Sequence, residues 1–247
     1  MIAWVAAAYA EEMPADLLRL RQPLAEVHFT KLVSALPDRP PVLRGKGRSG
    51  PITAWVWPDA TVARWRRATG RGAFEERWYT AGGIPELTVS WAGGAPVSAS
   101  IAAFPPVDVD LAGWTGALVG PATVTGPGAG TPEEDATWWT SPAGTLGAYW
   151  APGAVDPADP AFEAGLEEGC GCLLAHRTTA LAGTVPGVRW ILRAPHPQAP
   201  AIGELWAFPN ADGVLVLTWT ARETVDPSHP ELAPGRVASA LVAWGTP

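Results

Sequence analysis

Cysteine and lysine are almost missing from this chain of 247 residues: only Cys170, Cys172, Lys31 and Lys46 occur. So few cysteines exclude a disulfide-dense scaffold. A pair one residue apart is a poor structural disulfide, so two buried thiols are expected. Long apolar runs are missing too, and nothing approaches the ~18 residues that span a bilayer. Met1 to Tyr9 is apolar, but no basic residue precedes it. Glu11 and Glu12 follow where a signal peptide would place a small-residue cleavage site, so a cytoplasmic location is expected. Charge is sparse, at 17% of residues, and its balance is −7. That sign argues against nucleic acid as a direct ligand and suits a basic partner. Hydrophobic residues, at 47%, supply ample material for a packed core and exclude a disordered chain.

Tryptophan is abundant, with 14 residues against three Tyr and five Phe. Ile2 to Tyr9 reads as a buried first strand. The spacing of Leu17, Leu20, Leu24, Val27, Leu32, Val33 and Leu36 predicts a helix to about Leu36, interrupted at Pro23. Arg44 to Gly50 (RGKGRSG) lacks P-loop spacing and reads as a surface loop before a strand at Ile52–Trp57. Asp59 caps an expected short helix that carries Arg64, Trp65, Arg66 and Arg67, read as a solvated face with one apolar anchor. Leu87–Trp91 and Val97–Phe104 alternate around Gly93–Gly94 and predict a β-hairpin.

Residues 105–132 turn to Gly, Pro and Ala and read as a loop insert. Beyond it, Trp138–Trp139, Leu146–Trp150 and Val188–Leu192 read as strands. Pro160–Glu168 and Cys172–Leu181 read as short helices. Leu205–Phe208 and Val214–Thr220 form a second hairpin across Pro209–Gly213. A last helix from Glu231 or Pro234 to Trp244 closes the chain. The expected architecture is one α+β domain over 1–247. Its mainly antiparallel sheet carries an N-terminal and a C-terminal helix packed on it.

Catalytic motifs are lacking. No Ser lies in a Gly-x-Ser-x-Gly elbow, and no dinucleotide fingerprint, P-loop or metalloprotease motif occurs. Of the histidines, His28 falls inside the expected helix, and His196 and His229 each precede a proline. Cys170, Cys172 and His176 are one ligand short of a closed zinc site, so no metal or cofactor is expected. A Cys172–His176 dyad on one helix face is an unusual nucleophile and base. Carboxylates cluster at Glu133, Glu134 and Asp135 and at Asp156, Asp159, Glu163, Glu167 and Glu168.

Order and spacing resemble the immunity protein 52 family of bacterial polymorphic-toxin systems. The similarity is strongest over GVLVLTWTARETVDPSHPELAPGRVASALVAWG, from Gly213 to Gly245. There a strand ending in Thr, an Arg/Glu turn and Asp-Pro-x-His-Pro lead to the last helix. Within it Asp226 is read as capping the turn. VPGVRWILRA at Val185–Ala194 resembles the family's Gly-Trp strand. Ala8–Tyr9, the first helix and the hairpin ending at Pro105 also fit. The resemblance implies a cytoplasmic, non-enzymatic antidote that occludes a cognate toxin, often a basic nuclease. From charge alone, Glu133, Glu134, Asp135, Glu163, Glu167 and Glu168 are the expected partner-binding residues. The alternative is a cytoplasmic hydrolase using a carboxylate pair in a Trp-lined cleft. A carbohydrate-binding module would require most of the tryptophans to be exposed.

Overall fold

Alternation with period two, not 3.6, runs through most of this chain, and the computed structural model is accordingly built from antiparallel strands. It describes residues 28–34, 40–47, 50–57, 62–80, 85–102, 106–153, 155–157, 159–195, 201–225 and 230–245. The expected α+β class is thus overturned. Among the described residues only two short α-helices occur. The strand at Ile2–Tyr9, most of the first helix, Asp226, His196 and His229 lie outside the described residues.

The chain divides into two compact units, Met1–Asp110 and Leu111–Pro247, where the sequence suggested one domain. Among its described residues the first unit holds eight strands: β1 (His28–Ser34), β2 (Val42–Gly47), β3 (Gly50–Val56), β4 (Val62–Gly70), β5 (Ala73–Tyr79), β6 (Pro85–Ala92), β7 (Ala95–Ile101) and β8 (Val107–Asp110). Each pairs antiparallel with the next, so spatial order equals sequence order. The β6–β7 hairpin turns at Gly93 and Gly94, both with positive φ, as the Gly-Gly signal predicts.

Three expectations fail in this unit. His28–Ser34, assigned to the end of a helix, is β1, where Phe29, Thr30 and Val33 favour extended backbone. The supposed basic loop supplies the end of β2, with Gly47 paired to Gly50. The supposed Arg/Trp helix is β4. Val62, Arg64 and Arg66 take one face of it, and Ala63, Trp65 and Arg67 take the other. Both faces of its first half are buried, so no polar stripe was left to mark the period.

The second unit has a seven-stranded sheet in the order β11-β12-β13-β17-β16-β15-β14. Its strands are β11 (Thr131–Glu133), β12 (Ala136–Ser141), β13 (Gly144–Pro152), β14 (Leu173–Ala182), β15 (Val185–Arg193), β16 (Ala201–Asn210) and β17 (Gly213–Val225). A smaller sheet joins β18 (Ala243–Trp244), β10 (Ala122–Gly126) and β9 (Thr115–Val119). The segment read as a loop insert thus contains β8 to β11. Val119, Ala122 and Val124 are core residues there, and only Pro127–Gly130 of its glycine stretch is irregular.

One face of the seven-stranded sheet packs Trp139, Leu146, Trp206, Phe208, Leu215, Leu217 and Trp219 against the small sheet and the C-terminal segment. That segment is a 3-10 turn (Pro230–Leu232), helix α2 (Ala233–Ala240) and β18, so the predicted last helix stops short of Trp244. Helix α2 sits very close to the sheet: a Cβ on Gly235 would lie 2.4 Å from Trp219 Cβ. Glu204, fully buried on β16, receives both Nε and Nη2 of Arg236 from the helix. The other face gathers Cys172, Trp190, Leu192, Leu205, Val214 and Val216 under Phe162 and Leu166 of α1 (Pro160–Cys170).

Helix α1 follows its predicted course. Asp159 caps it through Ala161 N, and Pro160 occupies the first turn. It ends at Gly171 in the left-handed conformation, and the expected helix beyond Cys172 is β14 instead. The β-branched Thr178 and Thr179 favour that strand. Cys170 and Cys172 are joined in a disulfide with Cα atoms 5.2 Å apart, which overturns the expectation of two buried thiols. Cys172 alone is buried.

Candidate functional site

The densest polar chemistry of the first unit lies across β3, β4, β5 and β6. Arg64 stands between two indoles, its guanidinium carbon 4.5 Å from the Trp55 ring and 4.9 Å from Trp78. The strand ladders place both rings directly opposite it. One carboxylate oxygen of the fully buried Glu76 accepts from Arg64 Nη2 and, at 2.6 Å, from Arg66 Nε. Arg66 in turn lies 4.2 Å from the Phe74 ring, which stacks on Trp91. On the reverse face Arg67 and Arg77 each sit 5.3 Å from the Trp65 ring, whose N–H donates to Tyr79 Oη.

Burial pushes the Arg64 guanidinium below its ordinary value, while Glu76 pulls it back up. A planar cation between aromatic faces, paired with a carboxylate, is a stable way to bury charge. The arrangement fixes the register of three strands. It brings two arginines to one carboxylate, not two carboxylates to one substrate bond. Glu204, the other fully buried acid among the described residues, is likewise held by an arginine. Neither is a member of the carboxylate pair that the hydrolase alternative requires.

The six acids expected to meet a partner all fall in the second unit, but on separate elements. One group lies on an edge hairpin of the seven-stranded sheet and the other on the helix that covers one of its faces. Glu133 ends β11, and Glu134 and Asp135 form the two-residue turn into β12; all three are exposed. Glu134 holds φ at +31°, a conformation that non-glycine residues rarely adopt. Glu163, Glu167 and Glu168 lie on α1, which packs beside β14. Glu168 is exposed and Glu163 half-buried. Glu167 is committed within the fold, accepting from Leu174 N at 2.8 Å. The structure therefore keeps the two acidic groups apart.

The sequence reading missed one residue beside the first group. Trp138 is 39% exposed, the only described tryptophan to reach that class, while Trp139 beside it is fully buried. A doublet in a strand must send one ring each way, and that alternation was the signal for it. The Trp138 ring lies over Gly147, where an added Cβ would come within 2.4 Å of it. Thr131 is its partner across the ladder, and Glu133 shares that face two residues along. The hairpin thus offers one aromatic ring and three acids to solvent. Since eight tryptophans are buried, a sugar-binding surface of many exposed indoles is ruled out by the criterion stated above.

The remaining candidates from the sequence do not converge. His28 lies on β1, not on a helix. His176 is exposed on β14 at φ +52°, its Nε2 lying 3.2 Å from Arg193 Nη2. Both sulfurs are consumed in the disulfide, so the Cys172–His176 dyad has no thiol. No group of three potential metal-ligating side chains occurs among the described residues. None of the helices described is long and apolar enough to cross a membrane. No protein-family model, curated protein or solved structure matches the chain, and the likeness to the immunity protein 52 family rests on the segments quoted from the sequence.

Proposed function

We propose that this chain acts by binding, as an immunity protein that occludes a basic, nuclease-type toxin, with the β11–β12 hairpin as the contacting element. The observation that supports this reading is the pairing of Glu133, Glu134 and Asp135 with Trp138 on one exposed edge hairpin. Acids steer a basic partner in and set the association rate. A large ring at the middle of a contact supplies most of the affinity. Of the other expected contacts, Glu163 and Glu168 are secondary, and Glu167 is a structural group.

The test is capture of binding partners from the native lysate, followed by titration of whatever basic protein is recovered. Trp138→Ala should weaken a real complex by about 2 kcal/mol or more, roughly thirtyfold. Reversing Glu133, Glu134 and Asp135 to lysine should slow association and flatten its dependence on salt. Equal binding by both variants would remove the hairpin from the interface. Failure to bind a toxin encoded beside this chain would remove the immunity reading itself.

A further inference from the structure

We propose that Cys170–Gly171–Cys172 is a thiol–disulfide exchange site that reacts with small thiols of the glutathione class through its exposed sulfur, Cys170. The first ground is that the bond has little to hold together. Disulfides stabilise a fold mainly by closing loops of unfolded chain, and the effect shrinks with the number of residues enclosed. Here a single glycine is enclosed. The same turn is already fixed by the end of α1: Gly171 N donates to Glu168 O, and Cys172 N donates to Glu167 O. Glu167 adds a side-chain bond to Leu174 N just beyond. Three hydrogen bonds among five residues thus hold the turn without the sulfurs.

The second ground is the asymmetry of the pair. Cys170 is exposed, whereas Cys172 is buried in the cluster with Trp190, Leu192 and Leu205. An incoming thiolate reaches only one of the two sulfurs. It attacks Cys170 Sγ, a new S–S bond forms there, and the bond to Cys172 breaks. The electron pair leaves on Cys172, which takes up a proton. A second thiolate then attacks the small-molecule sulfur of the mixed disulfide and releases Cys170 as a thiol. The protein gains two electrons and two protons, and two small thiols become one disulfide.

The third ground concerns direction. The pair sits at the C-terminal end of a helix, beside Glu167 and Glu168. Helix carbonyls and carboxylates both disfavour a thiolate. The reduced pair therefore gains no stabilisation from thiolate formation, which favours the disulfide and makes the reduced pair a good donor of electrons.

The experiment uses the whole oxidised protein in mixtures of reduced and oxidised glutathione. After an acid quench, the thiols are mapped by alkylation and peptide mass spectrometry, while near-ultraviolet circular dichroism follows the fold. The expected result is one equilibrium reached from both the oxidised and the reduced side, with the fold intact throughout. The mixed disulfide should sit on Cys170, and C172S should take up oxidised glutathione at least about tenfold faster than C170S. Should either variant fail to fold, the wild-type equilibrium decides alone. Reduction only at denaturant concentrations that unfold the chain would overturn the proposal. So would a mixed disulfide on Cys172, or two free thiols in the oxidised protein. None of these outcomes bears on whether the β11–β12 hairpin binds a partner.

Discussion

Glu75 and Glu76 are neighbours on β5, yet the fold treats them in opposite ways. Glu76 points into the buried face between Arg64 and Arg66, and Glu75 lies on the other face between Arg67 and Arg77, all partly exposed. Removing one partner of a buried pair strands the other charge, so Glu76→Ala should cost about 3–5 kcal/mol. Glu75→Ala should cost about 1 kcal/mol or less, since water screens its pairs. Urea unfolding of the two variants reads the difference, and equal losses would show that Glu76 is not buried as described. Gly235→Ala provides a second check at this scale. Its methyl would meet the Trp219 Cβ, Cγ and the Trp206 ring, all within 3 Å. Helix α2 must lift away, at an expected cost of about 1–3 kcal/mol. At Glu134 the sign reverses: glycine relieves the positive φ, so Glu134→Gly should stabilise the chain by some tenths of a kcal/mol. If the same change weakens partner binding, the strained glutamate is kept for its charge.

Single elements were legible wherever a local signal had no competitor. The β6–β7 hairpin was read from Gly93–Gly94, and the β16–β17 hairpin from Asn210, Asp212 and Gly213. Helix α1 was read from Pro160 and the Phe162/Leu166 stripe. Its Asp159 cap makes a direct prediction, since Asp159→Ala should lower stability by about 1 kcal/mol, visible as a shift of the thermal midpoint. Where both faces of a strand are buried, alternation vanishes and a helical period can be read into it. That happened at β4, where Arg64 and Trp65 are both buried. At β14 the cause is different: most of the strand is exposed or half-buried, and it starts just past Gly171, where α1 ends and where the sequence reads as a second helix. In β9 and β10 the obstacle was composition. Gly, Pro and Ala hid a short sheet whose side chains are small because Trp139 and Trp150 crowd against it: Cβ atoms added at Gly126 and Gly120 would meet those rings within 2.7 Å. The acids of the candidate site were legible as residues. Their placement on an edge hairpin and on a helix over the sheet depends on strand order and helix packing, which no local window contains.

For the whole molecule, pH offers one further prediction. Tyr149 and Tyr79 are raised above their ordinary value, in both cases chiefly by burial. A raised tyrosine pKa means the unfolded chain loses its proton first. The stability contributed is full below the ordinary value of about 10 and is lost as pH rises through the folded value. The protein should therefore be flat in stability through neutrality on this account and weaken above about pH 10. Tyr149→Phe should delay that loss in an alkaline titration followed by tryptophan fluorescence.

The two units also differ in when their contacts become available. In the first unit every strand pairs with the one just before it, so each hairpin can close soon after its second strand leaves the ribosome. The second unit shares most of that order, but two of its pairs join strands far apart in sequence. Gly144 of β13 waits for Ala221 of β17, and Ala122 of β10 waits for Trp244 of β18. Its larger sheet stays in two parts until β17 is made, and the small sheet that covers Trp139 and Trp219 lacks a strand until β18 is made. The nascent chain thus passes through a stage with one half assembled and the other half sticky, where chaperones are most needed.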